Sequence, residues 1–171
     1  MACPAGATAE LAAQLSAMSP PGPLLELCCG LGGITRELAK AGRRVLAVDK
    51  DLARLRANQA NLAALGLEDR VSYLCCDLRR PALGAPQGQA RFAAAILDPD
   101  WSPPGAPPDA WATNPAHMDP PADQLIDLAL SLSPLVVVRL PRDLRGMLDR
   151  LAFSEIGRGG TRWRWLALRR A

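Results

Sequence analysis

The stretch Leu24-Leu25-Glu26-Leu27-Cys28-Cys29-Gly30-Leu31-Gly32-Gly33-Ile34-Thr35 decides the fold. An apolar run of strand length carries one acid, then breaks into a glycine-rich turn that leads into a helix-forming segment. Glycine allows the sharp turn and lets backbone approach a ligand closely, so this order reads as the first unit of a ligand-binding α/β fold. Before it, residues 8–18 read as a helix with Leu11, Leu15 and Met18 on one face, ended by the breaker Pro20-Pro21-Gly22-Pro23. After it, Ile34 to Ala41 reads as a helix closed by Gly42, and Arg44 to Val48 as a second strand. A helix over 52–65 carries Leu52, Leu55, Leu62 and Leu65 along one stripe and stops at Gly66.

Val71 to Cys75 and Phe92 to Leu97 are the third and fourth strands. Residues 102–121 hold seven prolines, too many for a helix or an interior strand, so a long loop is expected there. A helix over Ala122 to Leu132, a fifth strand over Leu135 to Leu140 and a short helix near 144–151 follow. Phe153 to Ile156 and Thr161 to Leu168 form a hairpin turned through Gly157-Arg158-Gly159-Gly160. Apolar strands alternating with helices predict a Rossmann-like α/β fold. Its mostly parallel seven-stranded sheet has helices on both faces and a C-terminal antiparallel hairpin. With 49% hydrophobic residues, residues 1–171 are expected to form a single domain, with 1–22 a short helical extension and 102–121 a proline-rich substrate loop.

The net charge is +3, and all basic residues except Lys40 and Lys50 are arginine. Arginine suits phosphate, but a chain this rich in Ala, Arg, Pro and Leu also fits codon bias, so charge alone does not establish an RNA partner. No apolar run approaches the roughly 20 residues that cross a bilayer, and the start lacks a signal peptide's basic and apolar regions. A cytoplasmic protein without a membrane partner is expected. The cysteines Cys28-Cys29 and Cys75-Cys76 are adjacent pairs without C-x-x-C spacing, and with Cys3 they read as small buried thiols rather than metal ligands.

Glu26, the Gly30–Gly33 loop, Asp49, Asp77 and Asp98 all fall at or near the carboxyl ends of the first four strands. Parallel sheets bind ligands there, and an acid at the second tip takes ribose hydroxyls, the role expected of Asp49. The full G-x-G-x-x-G of a dinucleotide site is absent, because Thr35 stands where its last glycine would be. A dinucleotide leaves the acid at the third tip unexplained. S-adenosyl-L-methionine explains it: Asp77 accepts from the adenine amine, Glu26 faces the methionine ammonium, and Asp98 lies beside the sulfonium methyl. Cys28, Gly30, Gly32, Thr35 and Leu78 complete the expected cofactor-binding set.

The fourth tip reads Asp98-Pro99-Asp100-Trp101. An Asp-Pro-x-Trp tip suits a flat ring with an exposed amine: carboxylate and carbonyl oxygens accept from the amine, and indole offers a stacking face. Asp98, Pro99 and Trp101 are therefore the expected catalytic residues, with Trp101 holding the acceptor ring in plane. Trp163 and Trp165, two apart, are expected to share one face and fill core. Trp111 closes over substrate or anchors its loop, His117 is a loop residue, and Arg142 meets a phosphate or a surface acid.

The acid-x-x-x-Gly-x-Gly of Glu26 to Gly32 resembles the first motif of class I methyltransferases, which also end their sheet in an antiparallel hairpin. More narrowly, the chain resembles the trimethylguanosine synthase family, the RNA cap guanine-N2 methyltransferases. The likeness rests on Cys29-Gly30-Leu31-Gly32-Gly33, Ala47-Val48-Asp49, Cys75-Cys76-Asp77, Pro99-Asp100-Trp101 and Leu140-Pro141-Arg142. It departs where Asp100 replaces the second proline of Pro-Pro-Trp and Ser102-Pro103-Pro104 replaces a glycine pair. The resemblance implies S-adenosyl-L-methionine as cofactor, RNA as partner, methylation of an exocyclic nucleobase amine, and stacking of Trp101 on the base. Two other functions share these residues: methylation of a small-molecule acceptor under the 102–121 loop, and a catalytically weak cofactor-binding module.

Overall fold

The structure, a computed structural model, describes residues 5–80, 83, 90–99, 101, 105, 114, 118–142, 144, 152–159 and 163–169. A helix α1 (Ala5–Met18) precedes β1 (Leu24–Leu27), α2 (Gly33–Lys40), β2 (Val45–Asp49), α3 (Leu52–Ala63) and β3 (Val71–Cys75). Then come β4 (Ala94–Leu97), α4 (Ala122–Leu132), β5 (Val136–Pro141), β6 (Ala152–Gly159) and β7 (Trp163–Arg169). The strands form one sheet of seven in the order β3-β2-β1-β4-β5-β7-β6. β1 to β5 run parallel to one another, while β7 lies antiparallel to β5 and β6, as expected for the C-terminal hairpin.

Strand alternation assigns the two faces. Leu25, Leu27, Ala95, Leu97, Val136 and Val138 pack with Leu125, Ile126 and Ala129 of α4. Leu24, Val45, Ala47, Ile96 and Val137 pack with Leu11 and Leu15 of α1, Leu38 of α2, and Leu55 and Leu62 of α3. Removing each such side chain from water contributes about 1.5–3 kcal/mol, so the central strands hold the sheet and fix where their tips stand. Among the described residues no helix is long and apolar enough to cross a membrane.

Several boundaries differ from expectation for local reasons. β1 stops at Leu27 rather than Cys28, because Cys28 adopts φ 62, a left-handed turn that aims the chain into the glycine loop. β4 starts at Ala94 rather than Phe92, because the Arg91 and Phe92 amides donate to the Leu132 carbonyl instead of a sheet neighbour. α3 is capped by Asp51, whose carboxylate accepts from the Ala53 and Arg54 amides at 2.8 and 3.1 Å, worth about 1 kcal/mol. Trp163 and Trp165 do not share a face. Trp165 packs on the α1–α3 side, while Trp163, at the first residue of β7, joins the α4 side with its ring against Arg139. Cys29 and Cys76 are buried thiols, but Cys75 is exposed at the end of β3. Gly157, Arg158 and Gly159 do not form the expected turn: they continue β6 and pair with Trp165, Arg164 and Trp163. Asp100, Trp111, His117, Gly160, most of the expected helix near 144–151 and most of the 102–121 loop lie outside the described residues.

Candidate active site

The carboxyl ends of β1 to β5 open into one crevice with a cavity of about 590 Å³, within the size range of small-molecule sites. Its walls carry Glu26, Cys28, Gly30, Asp49, Asp77, Leu78, Asp98 and Pro99, so residues spread over more than seventy positions of sequence converge there. Arg139, Lys50 and Arg54 are the cations on the same walls.

Each acid is held differently. Glu26 is 1% exposed and accepts a 2.6 Å hydrogen bond from the Thr35 hydroxyl. Burial, reinforced by the charges of Asp98 and Asp49, pushes its carboxyl up to about 8 despite the Thr35 bond. Asp49 fastens the glycine loop to the tip of β2: it accepts from the Gly30 amide at 2.8 Å and the Asp51 amide at 2.9 Å. Asp77 forms a fork with Arg79 at 2.6–3.0 Å, and these bonds hold its carboxyl down at about 2. Burial and the neighbouring acids push the Cys28 and Cys29 thiols well above their ordinary range, so they line the site as neutral groups.

Two expected ligand contacts are support instead. Thr35 is fully buried and acts through Glu26. Gly32 stands at φ 85, and a Cβ there would overlap the Asn58 amide. Asn58 is fully buried on α3 and donates to Thr35 Oγ1 at 3.2 Å and to Cys29 Sγ at 3.6 Å, so it braces the loop from behind. Sequence reading missed it, although a lone amide on the Leu55–Leu62 stripe is a visible signal.

Trp101 departs most from expectation. It is 0% exposed, packed in the α4-side core, and its indole N–H donates to the Arg139 carbonyl at 2.5 Å. No face of the ring reaches the crevice, so it does not stack on a ligand here. Trp101→Phe is expected to cost about 2–3 kcal/mol through the lost bond and lost volume. Thermal unfolding checks this, with cofactor affinity expected to stay within about threefold for a residue outside the crevice. A second missed residue is Arg139, whose Nε lies 2.5 Å from Asp98 Oδ1. Arg142, by contrast, pairs with Glu155 at 3.1 Å on the surface.

The family model of RNA cap guanine-N2 methyltransferases matches residues 22–154. The chain belongs to that family. A 23S rRNA (uracil(1939)-C(5))-methyltransferase of Acidithiobacillus ferrooxidans is 32% identical over 111 residues, 65% of this chain and 20% of that protein. The chain thus spans about a fifth of that curated relative. Among solved structures, the magnesium protoporphyrin IX methyltransferase of Synechocystis with bound SAM aligns at TM-score 0.72 and 19% identity, covering 98% of this chain and 79% of that one. TrmN from Thermus thermophilus aligns at TM-score 0.69 and 21% identity, covering 95% and 48%. At these identities the neighbours establish the Rossmann-like methyltransferase fold.

Membership in this methyltransferase family brings S-adenosyl-L-methionine as the cofactor, and the residues present fit it. Gly30 has φ 53, and the space a Cβ would take is open, which leaves room for close approach to its backbone. Glu26 is a buried acid among other acids, and a cationic group is what relieves it. A methyltransferase with this crevice is expected to couple cofactor binding to Glu26 ionisation. Because the folded carboxyl is raised to about 8 from 4.5, the folded chain holds a proton that the unfolded chain has lost. Stability from neutral Glu26 is full below pH 4.5 and is lost as pH rises through about 8. An ammonium facing the ionised carboxylate reverses the preference. S-adenosylhomocysteine affinity should therefore rise up to about tenfold per pH unit below that value. Calorimetry near neutral pH in buffers of different ionisation heat should show a proton released by wild type and not by Glu26→Gln.

Proposed function

We propose that the chain transfers a methyl group from S-adenosyl-L-methionine to an exocyclic amine of a nucleobase in RNA, of the guanine-N2 type. The observation that carries this reading is the placement of Asp98 and Pro99 on the same crevice as Glu26, Gly30 and Asp49. An amine-accepting tip thereby adjoins the pocket suited to the donor. Family membership supports guanine-N2 as the acceptor type.

When bound, the cofactor supplies a methyl group on a positively charged sulfur, which is displaced in line. Glu26 holds the ammonium, Asp49 the ribose hydroxyls, and Asp77 with Leu78 the adenine end. Asp77 reaches the adenine amine by sharing or yielding its fork with Arg79. Asp98 and the Pro99 carbonyl accept the hydrogens of the amine, which turns its lone pair toward the methyl. As the nitrogen–carbon bond forms, the nitrogen gains positive charge that the Asp98 carboxylate stabilises, and its proton leaves through that carboxylate to water. Positioning and electrostatics of this kind suffice for a nucleophile that already carries its electron pair.

The test is transfer of radiolabelled methyl from the cofactor to total RNA or to a metabolite pool. Label in nuclease-sensitive, high-molecular-weight material is the expected result. Label confined to metabolites would assign a small-molecule acceptor, and no transfer despite cofactor binding would assign a binding module.

A further inference from the structure

β5 reads Val136-Val137-Val138-Arg139-Leu140-Pro141, a buried strand interrupted by one guanidinium. The parallel register pairs Leu97 with Val138, so Asp98 and Arg139 are the next residues of adjacent strands. Their side chains are 14% and 8% exposed, and Arg139 Nε meets Asp98 Oδ1 at 2.5 Å. The guanidinium lies 5.0 Å from the centre of the Trp163 ring, and the Arg139 carbonyl accepts from Trp101. The Arg139 guanidinium is thus held between Asp98 and the Trp163 ring, and its backbone is tied to Trp101, while it lines the crevice beside Asp98. Burying such a pair carries a desolvation cost of several kcal/mol that another valine would avoid, so core filling does not account for the charge.

We propose that Arg139 is the positioning residue of the methyl-transfer site. It holds the Asp98 carboxylate in one orientation as a fixed acceptor for the amine, with the Trp163 ring against its guanidinium and Trp101 anchoring its backbone. The proposal rests on the reading of the crevice as an amine methyltransferase site. It gives the buried tryptophan after the fourth tip a role other than stacking.

The test compares the full chain with Arg139→Ala, Arg139→Lys and Asp98→Asn, using S-adenosylhomocysteine affinity and methyl transfer to total RNA. In Arg139→Ala, kcat is expected to fall about 100-fold with KM for the cofactor within about threefold, the signature of a misplaced reacting group. Added guanidinium ion should restore part of that rate, and none in Asp98→Asn. Arg139→Lys keeps the charge without the planar fork, so an intermediate loss of about tenfold at unchanged cofactor affinity is expected even if the alanine variant does not fold. Full activity in either Arg139 variant, or a loss matched by lost cofactor affinity and not rescued by guanidinium, would overturn the proposal.

Should wild type methylate no RNA, the proposed function falls, and binding alone judges Arg139. Releasing the Asp98 charge into the crevice should raise the preference for the cationic cofactor over neutral-sulfur S-adenosylhomocysteine about tenfold. An unchanged preference in both Arg139 variants would overturn the pairing role.

Discussion

Asp98→Asn is expected to lose methyl transfer by about 100- to 1,000-fold while binding S-adenosylhomocysteine within about threefold of wild type. The amide keeps the shape of the carboxylate beside Arg139 but removes the charge that stabilises the developing cation on nitrogen. Asp98→Ala adds a second effect. It leaves the Arg139 guanidinium, 8% exposed, without its 2.5 Å partner. Breaking a buried pair in this way costs about 3–5 kcal/mol, so the alanine variant should also unfold at lower temperature. Turnover by the asparagine variant near the wild-type rate would remove Asp98 from the chemistry.

Gly32→Ala is expected to destabilise the fold by about 3 kcal/mol and weaken cofactor binding by at least about tenfold. At φ 85 any side chain is strained, and here the Cβ would also overlap the buried Asn58 amide. Asn58 would have to give up its bonds to Thr35 and Cys29, which releases Thr35 and with it Glu26. Gly30→Ala is the control. Its φ of 53 carries the strain, but no atom lies within 4 Å of the added Cβ. A loss of about 1–2 kcal/mol is expected there, and equal melting temperatures for the two variants would refute the bracing role of Asn58.

The sheet was legible because its central strands, Leu24 to Leu27, Ala94 to Leu97 and Val136 to Leu140, are apolar runs broken at most by one charge, a pattern that burial on both faces explains. The acids were legible as a set because each falls at or near the carboxyl end of a strand. Strand ends were less so, since Cys28 leaves β1 through a left-handed turn that nothing in its residue type announces. Trp101 marks the same limit at the site. Asp-Pro-x-Trp predicts an aromatic near the tip, but whether the ring faces a ligand or the core depends on α4 and β5. Arg139 and Asn58 were visible as polar residues inside apolar patterns. Their roles depend on neighbours 41 and 23 positions away, Asp98 and Thr35, which only the fold brings together.

The central claim is that an exocyclic ring amine receives the methyl group in RNA. Its most direct test is mass spectrometry of nucleosides from RNA methylated with deuterium-labelled S-adenosyl-L-methionine and the wild-type protein. Label on an N-methylated nucleoside, N2-methylguanosine first among them, and its absence with Asp98→Asn, is the expected result. Label on a ring carbon such as C5 of a pyrimidine, or on a ribose oxygen, would contradict it.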